Sequence, residues 1–103
     1  MEKFSTDAVR ILKALADETR LEIINMLSGG EMCACKILEN FDITQPTLSY
    51  HMRILTDCGL IDAKRDGAWI RYTLNKDAFE LVRSLFSGIC ESLNQGQRIN
   101  CCK

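Results

Sequence analysis

Two cysteines separated by a single residue are the side chains of this sequence best suited to chemistry. Cys33 and Cys35 stand in the run Glu31-Met32-Cys33-Ala34-Cys35-Lys36. Thiolates are soft ligands that favour soft or thiophilic ions. Free cysteines are also common as small buried hydrophobic residues, but two of them at this spacing, at a helix start, favour the ligand interpretation. The pair is therefore a candidate ion site.

The spacing of these cysteines predicts how an ion would act. On a regular helix, residues two positions apart point about 200° apart. Their sulfurs then cannot both reach one ion at the roughly 2.3 Å of a metal–thiolate bond. We therefore expect ion binding to need a helix start that is irregular or unwinds locally. That strain would disturb the next helix along the chain, on which this helix is expected to pack.

Length and composition limit the classes of protein to which this chain can belong. The chain has 103 residues, of which 47% are hydrophobic and 26% charged, and this predicts one soluble domain over residues 1–103. No apolar run approaches the roughly 20 residues of a membrane span, and the polar start lacks the apolar core of a signal peptide. We therefore predict a cytoplasmic protein with no membrane partner. Its six cysteines, at positions 33, 35, 58, 90, 101 and 102, should then be thiols rather than disulfides.

Hydrophobic periodicity predicts five helices and one β-hairpin. The first expected helix covers residues 6–16, the second is capped by Asp17 and ended by Gly29-Gly30, and a short third covers about 35–40. The fourth runs from an N-cap at Thr44 to about Cys58. A hairpin of residues 61–65 and 68–74 around Asp66-Gly67 follows, and then a last helix capped by Asn75. The expected core faces are Ala8, Ile11, Leu12 and Leu15 in the first helix, Leu21, Ile24 and Leu27 in the second, and Leu48, Met52 and Leu55 in the fourth.

The last helix carries more apolar surface than one small core can cover. Its apolar residues are Ala78, Phe79, Val82, Leu85, Phe86, Ile89 and Leu93. A stripe this wide predicts packing against a partner subunit. Residues 94–103 are polar apart from Cys101 and Cys102, and we expect them to form a flexible tail.

Two short helices joined by a tight turn and followed by a hairpin predict a winged helix-turn-helix, a mainly helical fold with one small β-hairpin. Gln45 and Arg53 on the fourth helix can make bidentate bonds with base edges. Hydroxyl groups and tyrosine more often contact phosphate, and the candidates of that kind are Thr47, Ser49 and Tyr50. His51 lies near the core side, where a structural role is favoured.

The hairpin carries Lys64, Arg65 and Arg71, which can neutralise phosphates. A solvated hairpin face explains these three residues equally well, and both interpretations stay open. The net charge of −1 counts against a nucleic-acid partner, because such proteins usually carry a basic footprint. A local basic patch on a dimer can still bind DNA.

Three runs, in order, resemble the ArsR/SmtB family of repressors. They are LKALADETRLEI at residues 12–23, QPTLSYHM at 45–52 and RDGAWIRY at 65–72, and the resemblance extends over about residues 8–90. It implies a homodimeric winged-helix repressor, built through its first and last helices, that binds the pseudo-palindromic operators of metal-resistance operons. It also implies that the repressor leaves DNA when its inducer binds.

The same resemblance implies a class of inducer. Arsenical sensors of the family carry Glu-Leu-Cys-x-Cys before the recognition helix, and residues 31–35 are similar to that motif. This implies arsenite or antimonite bound by Cys33 and Cys35, with no organic cofactor. Relatives often have a third cysteine where this chain has Leu38. A third ligand from Cys90, Cys101 or Cys102, in one subunit or across the dimer, and a solvent or small-thiol ligand all stay open.

Other sensors of the family place their ligands elsewhere. Zinc sensors use aspartate and histidine on the last helix, and residues 77–93 contain no histidine. Cadmium and lead sensors use cysteines near the N-terminus, and residues 1–32 contain none. Both absences favour arsenite or antimonite.

The same residues also allow other functions to be considered. Oxidation of the thiols could replace the ion in a redox-responsive DNA-binding regulator, and Cys90, Cys101 and Cys102 could form a separate arsenite site. A thiol oxidoreductase would place Cys-x-x-Cys beside a βαβ unit, so we predict that the protein is not an enzyme. A metal carrier would leave the fourth helix and the basic hairpin unexplained.

Overall fold

The protein is represented by a computed structural model that describes residues 6–95. Its elements are α1 (Thr6–Leu15), α2 (Glu18–Leu27), β1 (Met32–Cys33), α3 (Ala34–Leu38), α4 (Gln45–Asp57), β2 (Ile61–Asp66), β3 (Trp69–Leu74) and α5 (Lys76–Asn94). The strands form one antiparallel sheet in the order β1-β3-β2. The predicted succession of helices and hairpin is confirmed. Within residues 6–95, no helix is both long and apolar enough to cross a membrane.

Side-chain caps begin three of the helices, as predicted. Asp17, Thr44 and Asn75 each accept a hydrogen bond from the backbone N–H three residues later, at 3.0, 3.3 and 3.0 Å. Each bond satisfies an N–H group that the first helical turn leaves without a partner. Pro46 lies in the first turn of α4, where its missing N–H costs nothing. These local bonds set where α2, α4 and α5 start.

The core lies between α1, α2, α4 and the sheet, and its composition corrects part of the prediction. The face of α4 is confirmed, since Leu48, Met52 and Leu55 are buried. On α2, however, Leu21 is 51% exposed and Ile23 is fully buried. Because α2 packs against both α4 and β3, its neighbours select the inward face. On α1 it is Ala14, rather than Leu12 or Leu15, that joins the buried set of Ala8 and Ile11.

The hairpin turn is shifted by one residue from its expected position. Asp66 pairs with Trp69, which leaves Gly67 and Ala68 as the two-residue loop. Gly67 has φ +67°, and no non-glycine residue in the described range has a positive φ. A glycine alone with positive φ at the first loop position is the arrangement of a type II′ turn, which suits the twist of paired strands.

The short strand β1 was not predicted, and it changes the position of Cys33. Residues 32–33 pair with β3, and α3 spans residues 34–38 instead of about 35–40. A two-residue strand has no periodicity to detect. It exists because β3 offers a free edge whose N–H and C=O groups need partners.

The helix α5 has little to pack against within one chain. No residue of α5 is buried, and Phe86, Ile89 and Leu93 are among its large exposed side chains. Its first half contacts α1 and the core through Ala78, Phe79 and Val82. The second half extends away, and the described chain has a long axis of 60 Å.

Candidate metal centre and nucleic-acid interface

The two thiols of the candidate metal centre are adjacent in space. Cys33 is the last residue of β1 and takes an extended conformation, with φ −86° and ψ 159°, at the N-cap position of α3. Cys35 is the second residue of α3, and the two Sγ atoms are 3.0 Å apart. One ion can touch both sulfurs at about 2.3 Å. The expected conflict of two cysteines on a regular helix is therefore absent, and α3 need not unwind.

The thiols differ in acidity. The Cys35 thiol donates a hydrogen bond that lowers the pKa of Cys33, and the backbone N–H of Lys36 lowers it further. The same hydrogen bond raises the pKa of Cys35, because losing its proton would remove the bond and place two negative charges together. Cys33 is thus the more acidic thiol of the pair, and it loses its proton before Cys35 does.

Within residues 6–95, no third protein ligand lies beside the pair. The described residues contain no group of three His, Cys, Asp or Glu side chains able to hold an ion. Leu38 is partly buried on the core side of α3, and Cys90 is exposed on α5. Cys58 is half-buried and its thiol donates to the Leu55 carbonyl oxygen at 3.4 Å, in keeping with its predicted structural role. The candidates Cys101 and Cys102, with the tail from residue 96 onward, lie outside the described residues.

The sheet connects the thiol pair to the hairpin. Cys33 lies opposite Arg71 of β3, and Arg71 lies opposite Lys64 of β2. Directly paired residues on neighbouring strands project to the same face, so Cys33, Arg71 and Lys64 form one row across the sheet. Arg71 also makes long ion pairs with Glu31 at 3.9 Å and Asp66 at 3.5 Å. These pairs are solvent-exposed, so they hold Arg71 only weakly.

The exposed side of α4 carries every DNA-contact candidate predicted on that helix. Those residues are Gln45, Thr47, Ser49, Tyr50 and Arg53, and all five are exposed. The Thr44 hydroxyl donates to the Thr47 hydroxyl at 3.0 Å, so Thr47 is partly committed to the helix cap. On the hairpin, Lys64 and Arg65 are exposed and Arg71 is half-buried. Arg65 lies opposite Ile70, on the other face from Lys64 and Arg71.

One hydrogen-bond network that sequence patterns do not predict orients α4. Arg20 Nη1 bonds to His51 Nδ1 at 3.1 Å, and Arg20 Nε donates to the Ala14 carbonyl oxygen at 2.6 Å. The Asp17 carboxylate lies 3.9 Å from the same His51 nitrogen. Arg20 thereby joins α1, α2 and α4. This confirms the predicted structural role of His51, whose partners lie 31 and 34 residues away and cannot be identified from local patterns.

A cavity lies beside the thiol pair, between α3, α4 and β3. Its volume is about 310 Å³, and Cys35 forms part of its wall. Leu38, Met52 and Trp69 supply apolar lining, and Ser49 supplies a polar group from α4. The cavity therefore adjoins both the candidate metal centre and the exposed face of α4.

Comparison with known proteins bears on the role of this arrangement. Residues 17–63 match the family described as bacterial regulatory proteins of the arsR family. An arsenical resistance operon repressor of Staphylococcus aureus is 44% identical over 84 residues, which are 82% of this chain and 74% of that protein. A crystal structure of an ArsR family transcriptional regulator superposes with a TM-score of 0.84 at 26% identity, over 95% of this chain and all of that one. The solution structure of a homodimeric winged helix-turn-helix DNA-binding domain from Mycobacterium bovis gives a TM-score of 0.67 at 25% identity, over 92% of this chain and 88% of that one.

Proposed function

The chain belongs to the ArsR family of transcriptional regulators, and from this we propose that it is a homodimeric repressor released from operator DNA by trivalent arsenic or antimony. The observation that carries the proposal is the 3.0 Å separation of the Cys33 and Cys35 sulfurs. A thiol pair brought together in this way can bond one thiophilic ion. The name of the Staphylococcus aureus relative, an arsenical resistance operon repressor, supports the choice of ion.

Binding of arsenite is a ligand exchange at arsenic. The Cys33 thiol forms the first As–S bond and the Cys35 thiol the second, while two As–O bonds break. Each exchange transfers a thiol proton to the departing oxygen and releases one water, so no oxidant or reductant is needed. Arsenic then takes the place of the Sγ–H···Sγ hydrogen bond between the two residues. The third position on arsenic is filled by hydroxide, by a small thiol, or by Cys90, Cys101 or Cys102 of either subunit.

The sheet is the route by which this exchange reaches DNA. Cys33 is paired with Arg71, and the Arg71 side chain already lies between Glu31 and Asp66. An ion that replaces the hydrogen bond between Cys33 and Cys35 with two As–S bonds changes the separation of their sulfurs, and so moves β1 against β3 and changes where Arg71 points. Since ligand effects on affinity are reciprocal, operator DNA weakens arsenite binding by the same factor.

The partner in the proposed dimer is a second copy of the chain. The exposed apolar side chains of α1 and α5, among them Val9, Phe86, Ile89 and Leu93, provide a face that one chain leaves uncovered. A twofold dimer presents two α4 helices to DNA. Its operator should then be a pseudo-palindrome with half-sites about 34–36 Å apart, one turn of the duplex.

Operator release by arsenite tests the proposal. Fluorescence anisotropy with labelled operator DNA should show release from the wild type on adding arsenite or antimonite. The double variant Cys33→Ser, Cys35→Ser should bind the operator and ignore arsenite, while Cys58→Ser should respond like the wild type. Release of the double variant at wild-type arsenite concentrations would sink the proposal. The same titration with Cys101→Ser, Cys102→Ser examines the alternative C-terminal site.

A redox-responsive regulator is the second candidate, and the same sulfur distance favours it. Two thiols 3.0 Å apart need to approach by only about 1 Å to form an S–S bond. In arsenic-free buffer, peroxide should then release the operator from the wild type and a dithiol should restore binding. Peroxide without effect on binding would remove this candidate and leave the arsenite proposal intact.

A further inference from the structure

His51 is the only histidine of the chain, and it lies where α2 meets α4. Its side chain is 12% exposed, whereas the DNA-contact candidates of α4 are all exposed. Arg20 Nη1 lies 3.1 Å from His51 Nδ1. Arginine can only donate hydrogen bonds, so Nδ1 accepts this one, and the single proton of the neutral ring is on Nε2. The bond between α2 and α4 therefore requires an uncharged His51.

A proton on His51 Nδ1 would break this bond, because two N–H groups and two positive charges would then face each other. The Asp17 carboxylate offers another partner, since its Oδ2 lies 3.9 Å from the same nitrogen. An approach of about 1 Å brings these atoms to the distance of a charge-assisted hydrogen bond. The backbone N–H of Arg20 lowers the pKa of Asp17, so the carboxylate is charged when the ring takes up a proton. The protonation state of His51 thus selects between two partners at the start of α2.

We propose that Arg20 and His51 are positioning residues for operator binding, and that uptake of a proton by His51 weakens the complex with DNA. Arg20 Nε donates to the Ala14 carbonyl oxygen at 2.6 Å, so its bond to His51 ties α4 to both α1 and α2. The His51 ring also packs edge-on against Tyr50, with ring centroids 5.5 Å apart, and Tyr50 is an exposed DNA-contact candidate. A ring that turns from Arg20 to Asp17 releases α4 and changes the contact with Tyr50.

The charged groups on the elements packed against α4 leave Asp17 and Arg20 as the pair that acts on His51. Within residues 6–95, these two are the charged residues recorded in a hydrogen bond or an ion pair with the ring. Arg10 and Lys13 of α1 line a cleft with Arg20, and Arg10 donates to the carbonyl oxygen of the last residue of α4 at 3.0 Å. Their positive charges oppose the proton, as Arg20 does. All other charged residues of α1, α2, α4 and β2 are exposed, including Glu22, Arg53 and Asp62.

The expected direction is opposite to that of simple charge attraction. A positive charge gained by a protein ordinarily strengthens its binding to phosphates, whereas a proton on His51 should weaken operator binding. Histidine is the side chain that ordinarily changes charge between about pH 5 and pH 8, and the chain has no second histidine. Operator binding is the one part of the proposed function that this effect requires, and arsenite has no part in it.

Fluorescence anisotropy with labelled operator DNA, at constant salt and without arsenite, measures the effect. Wild-type affinity should fall at least about tenfold between about pH 8 and about pH 5.5, while binding of random-sequence DNA should not weaken. His51→Asn keeps an oxygen acceptor near the Nδ1 position and takes up no proton in this range, so its affinity should stay within about threefold. The double variant Cys33→Ser, Cys35→Ser should keep the wild-type pH dependence, which excludes the thiols as its source.

Two carboxylate variants test the choice of partner. Asp17→Asn keeps a capping oxygen but removes the charge that attracts the protonated ring, so the midpoint of the affinity loss should move to lower pH by at least about half a unit. Glu22→Gln is the matched control. Glu22 is exposed and lies two residues from Arg20, about 200° around the same helix, so its removal should leave the midpoint unchanged. Circular dichroism at both ends of the pH range verifies that each variant is folded.

Each outcome bears on the proposal. A wild-type affinity that does not fall in acid, or a fall that persists unchanged in His51→Asn, overturns it and leaves arsenite-induced release standing. A midpoint that is the same in Asp17→Asn and the wild type also overturns it. If His51→Asn no longer binds the operator at about pH 8, the midpoint of Asp17→Asn decides alone. If the wild type binds no operator at any pH, the proposed function fails as well.

Discussion

Cys33 and Arg71 are direct cross-strand partners, joined by the pairing of β1 with β3. A residue of the candidate metal centre and a candidate phosphate contact thus occupy one rung of the same sheet. Because Cys33 is bound to β3 through the backbone of the sheet, we expect a displacement of Cys33 to be transmitted to the hairpin. The coupling does not require α3 to unwind.

The charge partners of Arg71 predict opposite effects for two substitutions. Arg71→Ala should weaken operator binding and reduce the slope of log affinity against log salt concentration by about 1, since one phosphate contact is lost. Glu31→Gln should strengthen binding, because it frees Arg71 from one of its two carboxylates. Binding titrations at several salt concentrations measure both. An operator affinity and a salt slope that stay unchanged in Arg71→Ala would show that Arg71 has no role at the phosphates.

Gln45 is expected to read a base, because it is exposed at the N-terminal tip of α4. Gln45→Ala should cost about 1–3 kcal/mol of discrimination between operator and mutated operator. Lys64→Ala is the matched control, and it should weaken all DNA sequences alike. Competition binding with single-base operator variants makes the comparison. If Gln45→Ala loses affinity equally for all DNA sequences, Gln45 contacts the DNA backbone instead of a base.

The acidity of the thiol pair can be measured by alkylation. Hydrogen bonding from Cys35 lowers the pKa of Cys33, so iodoacetamide should modify Cys33 first, with a rate that levels off below the pH expected for an ordinary thiol. Cys35→Ala removes the leading cause and should move that inflection upward. Peptide mass spectrometry over a pH series identifies the site. Faster alkylation at Cys35 than at Cys33 would contradict the assignment.

Asp17 caps α2, and its removal should destabilise the protein. The backbone N–H of Arg20 lowers the pKa of Asp17, so the carboxylate contribution is complete above about pH 4 and is lost as the pH falls further. Asp17→Ala should cost about 1 kcal/mol at pH 7. Asp17→Asn keeps a capping oxygen without the charge. The difference in free energy of unfolding between this variant and the wild type should therefore shrink in acid. Urea unfolding at pH 7 and pH 3 tests this, and a difference that grows in acid would contradict it.

The exposed stripe of α5 predicts the subunit interface. Phe86 is 49% exposed in the single chain, and Phe86→Glu would bury a charge if a second copy covers it. The dimer dissociation constant should increase by at least roughly 30-fold, or about 2 kcal/mol. Arg83→Glu is the control, because Arg83 is exposed and pairs with Glu80 along the same helix. Sedimentation equilibrium measures the dimer dissociation constant of each variant. An unchanged constant in Phe86→Glu would place the interface elsewhere.

Local signals explain the parts of the fold that could be predicted. The caps at Asp17, Thr44 and Asn75 depend on bonds spanning three residues, and the core face of α4 depends on helical periodicity alone. Both kinds of information lie within a few neighbouring positions. Leu21 is a residue for which such local information gives the wrong prediction. Its spacing fits the predicted stripe, but the packing of α2 against α4 and β3 buries Ile23 in its place.

The sequence by itself determined the thiol pair, the helix that carries the DNA-contact candidates, the basic hairpin and their order along the chain. Tertiary structure decided how they are connected. It converted Cys33 from an expected neighbour of a helix into the end of a strand paired with Arg71, and it placed a cavity beside Cys35. These relationships join residues 38 positions apart, such as Cys33 and Arg71. They arise because the edge of β3 needs backbone partners, a requirement that only the folded sheet creates.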